Sequence, residues 1–188
     1  MATFRTSQPV SPIDAARPHV VLVGLPGSGK TTVGQGVAAA LGRPFHDLDR
    51  EIERREGMTI AQIFGERGEY VFRQLEQKLT EELKDIGGMI LSPGGGWIAS
   101  PENVSLLRPR ARFIYLRVRL ETAIKRLGPE RATRPLLIRP DPLGELRRLY
   151  EARKAAYEAA DDSVDTERLS SQQVIETVTE LIRRTGAA

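Results

Sequence analysis

Cysteine is absent from the 188 residues, which removes disulfides and thiolate metal ligands from consideration. A cytoplasmic location is the expectation that goes with a cysteine-free chain. Long apolar runs are missing as well. None approaches the ~20 residues that cross a bilayer as a helix, so no membrane association is expected. Residues 1–18 contain one early arginine and then polar, proline-dotted sequence, without the apolar centre of a secretion signal. They read as a flexible tail. Neither sign of charge dominates: Lys and Arg number 28 against 25 Asp and Glu, a net charge of +3. That is far from the lopsided footprint of a duplex-binding protein, and no nucleic acid is expected as a partner. The arginines that make up the surplus gather between residues 108 and 153, where they suit anionic small molecules. Histidine is scarce too. His19 and His46 have no companions at metal-ligating spacing, and both read as structural.

Hydrophobic residues at 40% and charged residues at 28% are ordinary for one globular domain of this size. Residues 19–24 form a β-branched run closed by glycine, a buried strand of a parallel sheet. Further strands are expected at 44–47, 89–92, 112–117 and 163–165. Helices are marked at 31–41 and 48–56, followed by a short one capped by Thr59. A long amphipathic helix is expected over 69–85, with Val71, Phe72, Leu75, Leu79 and Leu83 on its apolar stripe. Ser100, Pro101 and Glu102 supply a cap, a first-turn proline and a first-turn acid for the next helix. Helices over 121–127, 143–160 and 171–184 complete the set. Residues 128–142 are rich in proline and arginine, a mobile loop by composition. Strands alternating with helices imply βαβ units. The expected fold is one three-layer α/β/α domain over residues 19–188, with five parallel strands and no internal repeat.

Gly24-Leu-Pro-Gly27-Ser28-Gly29-Lys30-Thr31 satisfies the phosphate-loop pattern G-x-x-x-x-G-K-[ST] directly after a strand and at the start of a helix. Glycines let successive backbone N–H groups turn inward around a phosphate, and the helix N-terminus adds its partial positive charge. Lys30 suits the β and γ phosphates, and the Thr31 hydroxyl suits Mg²⁺. An ordinary glycine-rich turn would not need this placement between a strand and a helix. Gly27, Ser28, Gly29, Lys30, Thr31 and Thr32 are therefore the nucleotide-binding candidates.

Two further segments meet the same sheet edge. Residues 89–92 run into Pro93-Gly94-Gly95-Gly96, where the absence of Cβ atoms lets backbone amides approach a ligand. Asp47-Leu48-Asp49 ends the second strand, and in extended chain both carboxylates point the same way. One acid can serve Mg²⁺ and the other an acceptor hydroxyl. Equally, either can cap the following helix.

Taken in order, these segments resemble the shikimate kinases, nucleoside-monophosphate-kinase-like P-loop proteins. The resemblance runs from Val20 onward. It is carried by the phosphate loop, by Asp47-Leu-Asp49 with Arg50-Glu-Ile-Glu53, and by Gly57-Met-Thr-Ile-Ala-Gln-Ile-Phe64. Gly68-Glu69 with Phe72-Arg73, Ser92-Pro-Gly-Gly-Gly96 and Thr133-Arg134-Pro-Leu-Leu137 complete it. The resemblance implies transfer of the γ-phosphoryl of ATP to the 3-hydroxyl of shikimate with Mg²⁺, by a monomer. It implies catalytic roles for Lys30, Asp49 and Arg134, the last in a lid over ATP at 128–142. Shikimate would be bound by Asp49, Arg73, Arg153 and the amides of Gly94, Gly95 and Gly96, with Thr31 and Asp47 in the Mg²⁺ shell. Arg126 is a phosphate-side candidate, and adenine would pack around 165–169. Two departures stand out. The family commonly has Arg-x-Pro-Leu-Tyr after the lid, whereas this chain has Arg153-Lys-Ala-Ala-Tyr157, and Trp97 follows the glycines where a smaller residue is expected.

Other readings compete. A kinase for another polyhydroxylated acid such as gluconate is disfavoured by the two-carboxylate segment and the glycine triplet. A nucleoside monophosphate kinase would want an aromatic-rich pocket for a second base. A nucleotide-responsive module without catalysis would not need Lys30, Thr31, Asp47, Asp49 and Arg134 together.

Overall fold

A computed structural model describes residues 17–128 and 140–186. The β-branched run becomes β1, His19–Val23, buried along its whole length. Such a strand needs neighbours on both edges and layers on both faces. It has them: β3 (Ile90–Ser92) pairs on one side and β4 (Ala111–Arg117) on the other, with β2 (Phe45–Asp47) and β5 (Asp162–Asp165) at the edges. The order is β2-β3-β1-β4-β5, and every pairing is parallel. The C-terminal ends of the strands therefore share one edge, where the phosphate loop, Asp47 and the glycine triplet emerge.

Alternation along the strands divides the core. Val20, Leu22, Ile90, Ile114 and Leu116 face α1 (Lys30–Leu41) and α7 (Ser171–Arg184). Val21, Val23, Leu91, Phe113 and Tyr115 belong to the second and larger cluster. The helices on that side are α2 (Leu48–Glu56), α3 (Ile60–Leu83), α4 (Pro101–Leu107), α5 (Leu120–Leu127) and α6 (Pro142–Glu158). Fully burying one such aliphatic side chain contributes about 1.5–3 kcal/mol, so both layers are held firmly to the sheet.

Three local features stand out on this side of the sheet. The short helix after Thr59 and the long one after Gly68 are joined as α3, which breaks at Gly68 (φ 84°, ψ 163°). Thr59 caps it in a reciprocal box with Gln62. The helix ends at Leu83, two residues early, where the Leu83 carbonyl accepts from His19 Nε2 at 3.0 Å. His19 Nδ1 accepts from the Met89 amide at 3.3 Å. Burial pushes the His19 pKa down, consistent with a neutral ring tying α3 to β3. Trp97, the unexpected bulky residue, opens a 3₁₀ turn over Trp97–Ala99. Its ring is fully buried and stacks on Phe113 at 6.2 Å, and its Nε1 donates to Thr80 Oγ1 at 2.8 Å. Trp97 is core packing.

Candidate active site

The phosphate loop curls because its backbone can. Gly27 has φ +82°, and a methyl group there would meet the Ala123 carbonyl oxygen at 2.3 Å, so only glycine fits between loop and α5. Lys30, the first residue of α1, folds back over the loop and donates to the carbonyls of Gly24 at 2.9 Å and Leu25 at 3.0 Å. Thr31 donates its hydroxyl to Asp47 Oδ2 at 2.8 Å. Asp47 Oδ1 meanwhile caps α2 through the Arg50 amide at 3.3 Å. Asp47 thus caps a helix and also reaches the phosphate loop.

Asp49 lies in the first turn of α2 and turns toward the glycine triplet. A methyl group on Gly94 would lie 2.6 Å from Asp49 Oδ1, and one on Gly96 would lie 2.7 Å from Arg73 Nη2. Added side chains would push the ends of Asp49 and Arg73 away, so glycine at these positions lets the two groups come close. Arg73, beyond the break in α3, donates to Glu76 Oε2 at 2.6 Å and to Glu69 Oε1 at 2.8 Å. Glu76 is 1% exposed, and its other oxygen has no hydrogen-bond partner among the described residues. Burial pushes its pKa up to about 7, opposed by the Arg73 guanidinium and reinforced by the Asp49 carboxylate. From α6, Arg153 Nη1 and the Tyr157 hydroxyl donate to the Gly95 carbonyl at 3.2 and 2.9 Å.

One cavity of about 1050 Å³ joins these groups. Gly27, Ser28, Gly29, Lys30, Thr31, Thr32 and Asp47 line one part, and Asp49, Arg73, Gly94, Gly95, Gly96 and Arg153 line another. Arg134 lies outside the described residues, as does most of the expected lid. Arg126, on α5, lines the same cavity. It donates to the Thr166 carbonyl at 2.7 Å and to the Thr166 hydroxyl at 3.0 Å, which ties it to the turn after β5. The cavity also takes in residues to which sequence reasoning gave no role in the site. Phe64 and Phe72 form an apolar wall, rings 5.0 Å apart. Glu76 sits on the apolar stripe, three residues after Arg73, and that position was the available signal for it. Tyr157 stands behind the lining, bonded to Gly95, and its signal was its spacing from Arg153.

The family model for shikimate kinase matches residues 26–183. The chain belongs to the shikimate kinase family. A shikimate kinase of Thiobacillus denitrificans is 44% identical over 82% of this chain and 84% of its own length. One of Thioalkalivibrio sulfidiphilus is 39% identical over 88% of this chain and 87% of its own. Among solved structures, a shikimate kinase of Acinetobacter baumannii in complex with shikimate superposes with a TM-score of 0.86 at 35% identity. It covers 92% of this chain and 97% of that one. A shikimate kinase must hold two substrates side by side, and the single cavity with a phosphate loop in one part and Asp49, Arg73 and the glycines in the other answers to that need.

Proposed function

We infer that the chain transfers the γ-phosphoryl of ATP to the 3-hydroxyl of shikimate, giving shikimate 3-phosphate and ADP, a step toward chorismate and the aromatic amino acids. The observation that carries this reading is the convergence of Asp49 and Arg73, from α2 and α3, on the glycine triplet within the cavity that holds the phosphate loop. A hydroxylated carboxylate needs an acid for its hydroxyls and a cationic fork for its carboxylate, and these residues supply both.

In this reading Lys30 moves from the loop carbonyls to the phosphates, where a cation opposes the charge that develops during transfer. Gly27, Ser28, Gly29, Thr31 and Thr32 surround the phosphates at the N-terminus of α1. Asp49 orients the attacking hydroxyl and takes its proton. Arg73 and Arg153 bind the carboxylate side, with the amides of Gly94, Gly95 and Gly96 around the ring. The oxygen donors Thr31 Oγ1 and Asp47 Oδ2, 2.8 Å apart beside the phosphate loop, suit a hard divalent cation that keeps several waters. They would hold Mg²⁺, which neutralises charge on the β and γ phosphates. Arg134 would close over ATP and exclude water. Attack is direct and in line, because the constellation contains no separate covalent nucleophile.

A cytoplasmic monomer fits the surface. No helix among the described residues is long and apolar enough to cross a membrane, and Tyr70 is their one exposed large hydrophobic side chain. A coupled assay of ADP release tests the reading across shikimate, gluconate and nucleoside monophosphates. Turnover should appear with shikimate and ATP. Faster turnover with gluconate or a monophosphate would overturn it.

A further inference from the structure

The glycine triplet and α6 meet at a single backbone carbonyl. Gly95 accepts from the Tyr157 hydroxyl at 2.9 Å and from Arg153 Nη1 at 3.2 Å. The two donors are four residues apart on α6 and so share one face of the helix. Both are buried, Arg153 to 8% exposure and Tyr157 to none. On its other side Gly95 is pressed against the phosphate loop, where an added methyl group would meet Pro26 Cδ at 2.9 Å. A carbonyl so enclosed needs a donor, because a buried acceptor left unpaired is costly.

One donor would satisfy that need, and there are two. The second matters because Arg153 has other work. A guanidinium presents its planar fork best when both arms of an edge point at one carboxylate. An arginine that alone satisfied Gly95 would have to abandon that carbonyl in order to bind a ligand. Tyr157 removes the conflict. Its ring lies flat on Tyr115, centroids 5.1 Å apart and planes 7° apart, so the hydroxyl has little freedom to leave. Burial raises the phenol to about 12, so it remains a neutral donor throughout the working range.

Peptide geometry carries the effect one bond further. The planar trans peptide sets the Gly96 N–H opposite to the Gly95 carbonyl. Pinning that carbonyl on α6 therefore aims the Gly96 amide away from α6. That amide donates to no backbone acceptor among the described residues, and Gly96 lies against the Arg73 guanidinium.

We propose that Tyr157 is a positioning residue for the acceptor: its hydroxyl holds the Gly95 carbonyl, aims the Gly96 amide and frees Arg153 for the acceptor's carboxylate. The inference rests on the reading that Arg153 and the glycine amides contact shikimate. It also gives a reason why the Arg–Tyr spacing persists in this chain while the two residues between them in the family pattern, Pro and Leu, are both Ala here.

The test uses the whole chain with Tyr157→Phe, Arg153→Ala and the double variant. Steady-state kinetics are run in shikimate and in ATP, with a thermal melt of each protein. Tyr157→Phe keeps the ring stack and should keep the fold. Its KM for shikimate should rise roughly tenfold, because Arg153 is then held at the Gly95 carbonyl as the one remaining donor, while its KM for ATP is unchanged. The double variant should raise the shikimate KM by less than the product of the two singles, since the freed arginine is then absent. An unchanged shikimate KM in Tyr157→Phe, with a raised one in Arg153→Ala, would sink the positioning role and leave the acceptor site standing. No change in either variant would sink both. A parallel loss in kcat and both KM values, tracking a lowered melting point, would make Tyr157 a packing residue only.

Discussion

At the level of single residues, the acceptor end of the cavity is a balance of four charges: Asp49, Arg73, Glu76 and Arg153. Removing one member should have distinct effects. Arg73→Ala deprives the buried Glu76 of its partner and, in the proposed reading, shikimate of its fork, and such losses cost ~2–5 kcal/mol. Asp49→Asn keeps the size and removes the charge that, in the proposed reading, orients the attacking hydroxyl. Calorimetric titration should find shikimate binding strongly weakened in the first, while turnover falls hardest in the second. Both should bind a non-hydrolysable ATP analogue as the unaltered protein does. Loss of nucleotide affinity with shikimate affinity intact would show the two ends to be misassigned. Glu76 adds a pH dependence. Its folded pKa of about 7 lies above the ordinary 4.5, so the folded state takes up the proton more readily than the unfolded one. Below about 4.5 both states are protonated and burial is free of penalty; as pH rises through 7 the folded state loses that advantage. The shift corresponds to ~3 kcal/mol. Glu76→Gln should therefore gain stability relative to the unaltered protein between pH 5 and pH 8 in denaturant titrations. An equal difference at both pH values would refute this account of Glu76.

Among the elements, α3 is the one whose course decides the site. Its first part carries Phe64 and its second part Arg73 and Glu76, and the break at Gly68 sets the angle between them. The backbone there, φ 84° and ψ 163°, is a region that only glycine occupies without strain. An added methyl group would touch nothing within 4 Å, so the cost of Gly68→Ala is conformational and not steric. It should lower stability by about 1–3 kcal/mol. Alanine also favours a straight helix, which would swing Phe64 relative to Arg73, so the KM for shikimate should rise while that for ATP stays. Denaturant titration and steady-state kinetics measure the two effects. A variant as stable as the parent would mean that α3 tolerates a continuous course.

For the molecule as a whole, legibility in the sequence followed the range of the interactions. The phosphate loop was legible because its signal is contiguous: a strand, three glycines, Lys30 and Thr31 within a few residues. The caps at Thr59 and Ser100 were legible for the same reason, each bonding an amide three residues ahead. Glu76 was legible only through its place on the apolar stripe, because its partner and its depth of burial are set when α3 docks. Tyr157 was seen as spacing only, since its acceptor lies 62 residues away. Arg126 was named through the family resemblance, and its partner Thr166 becomes its neighbour only when β4 and β5 pair. The same long range governs how the chain comes together during synthesis. β1 precedes every strand it touches: one neighbour is Ile90–Ser92, and the other ends its pairing at Tyr115. A nascent chain therefore exposes its first apolar strand early and cannot seat the phosphate loop until residue 115 has cleared the ribosome. Through that interval the strand at whose end the phosphate loop forms is an unpaired apolar segment open to chaperone binding.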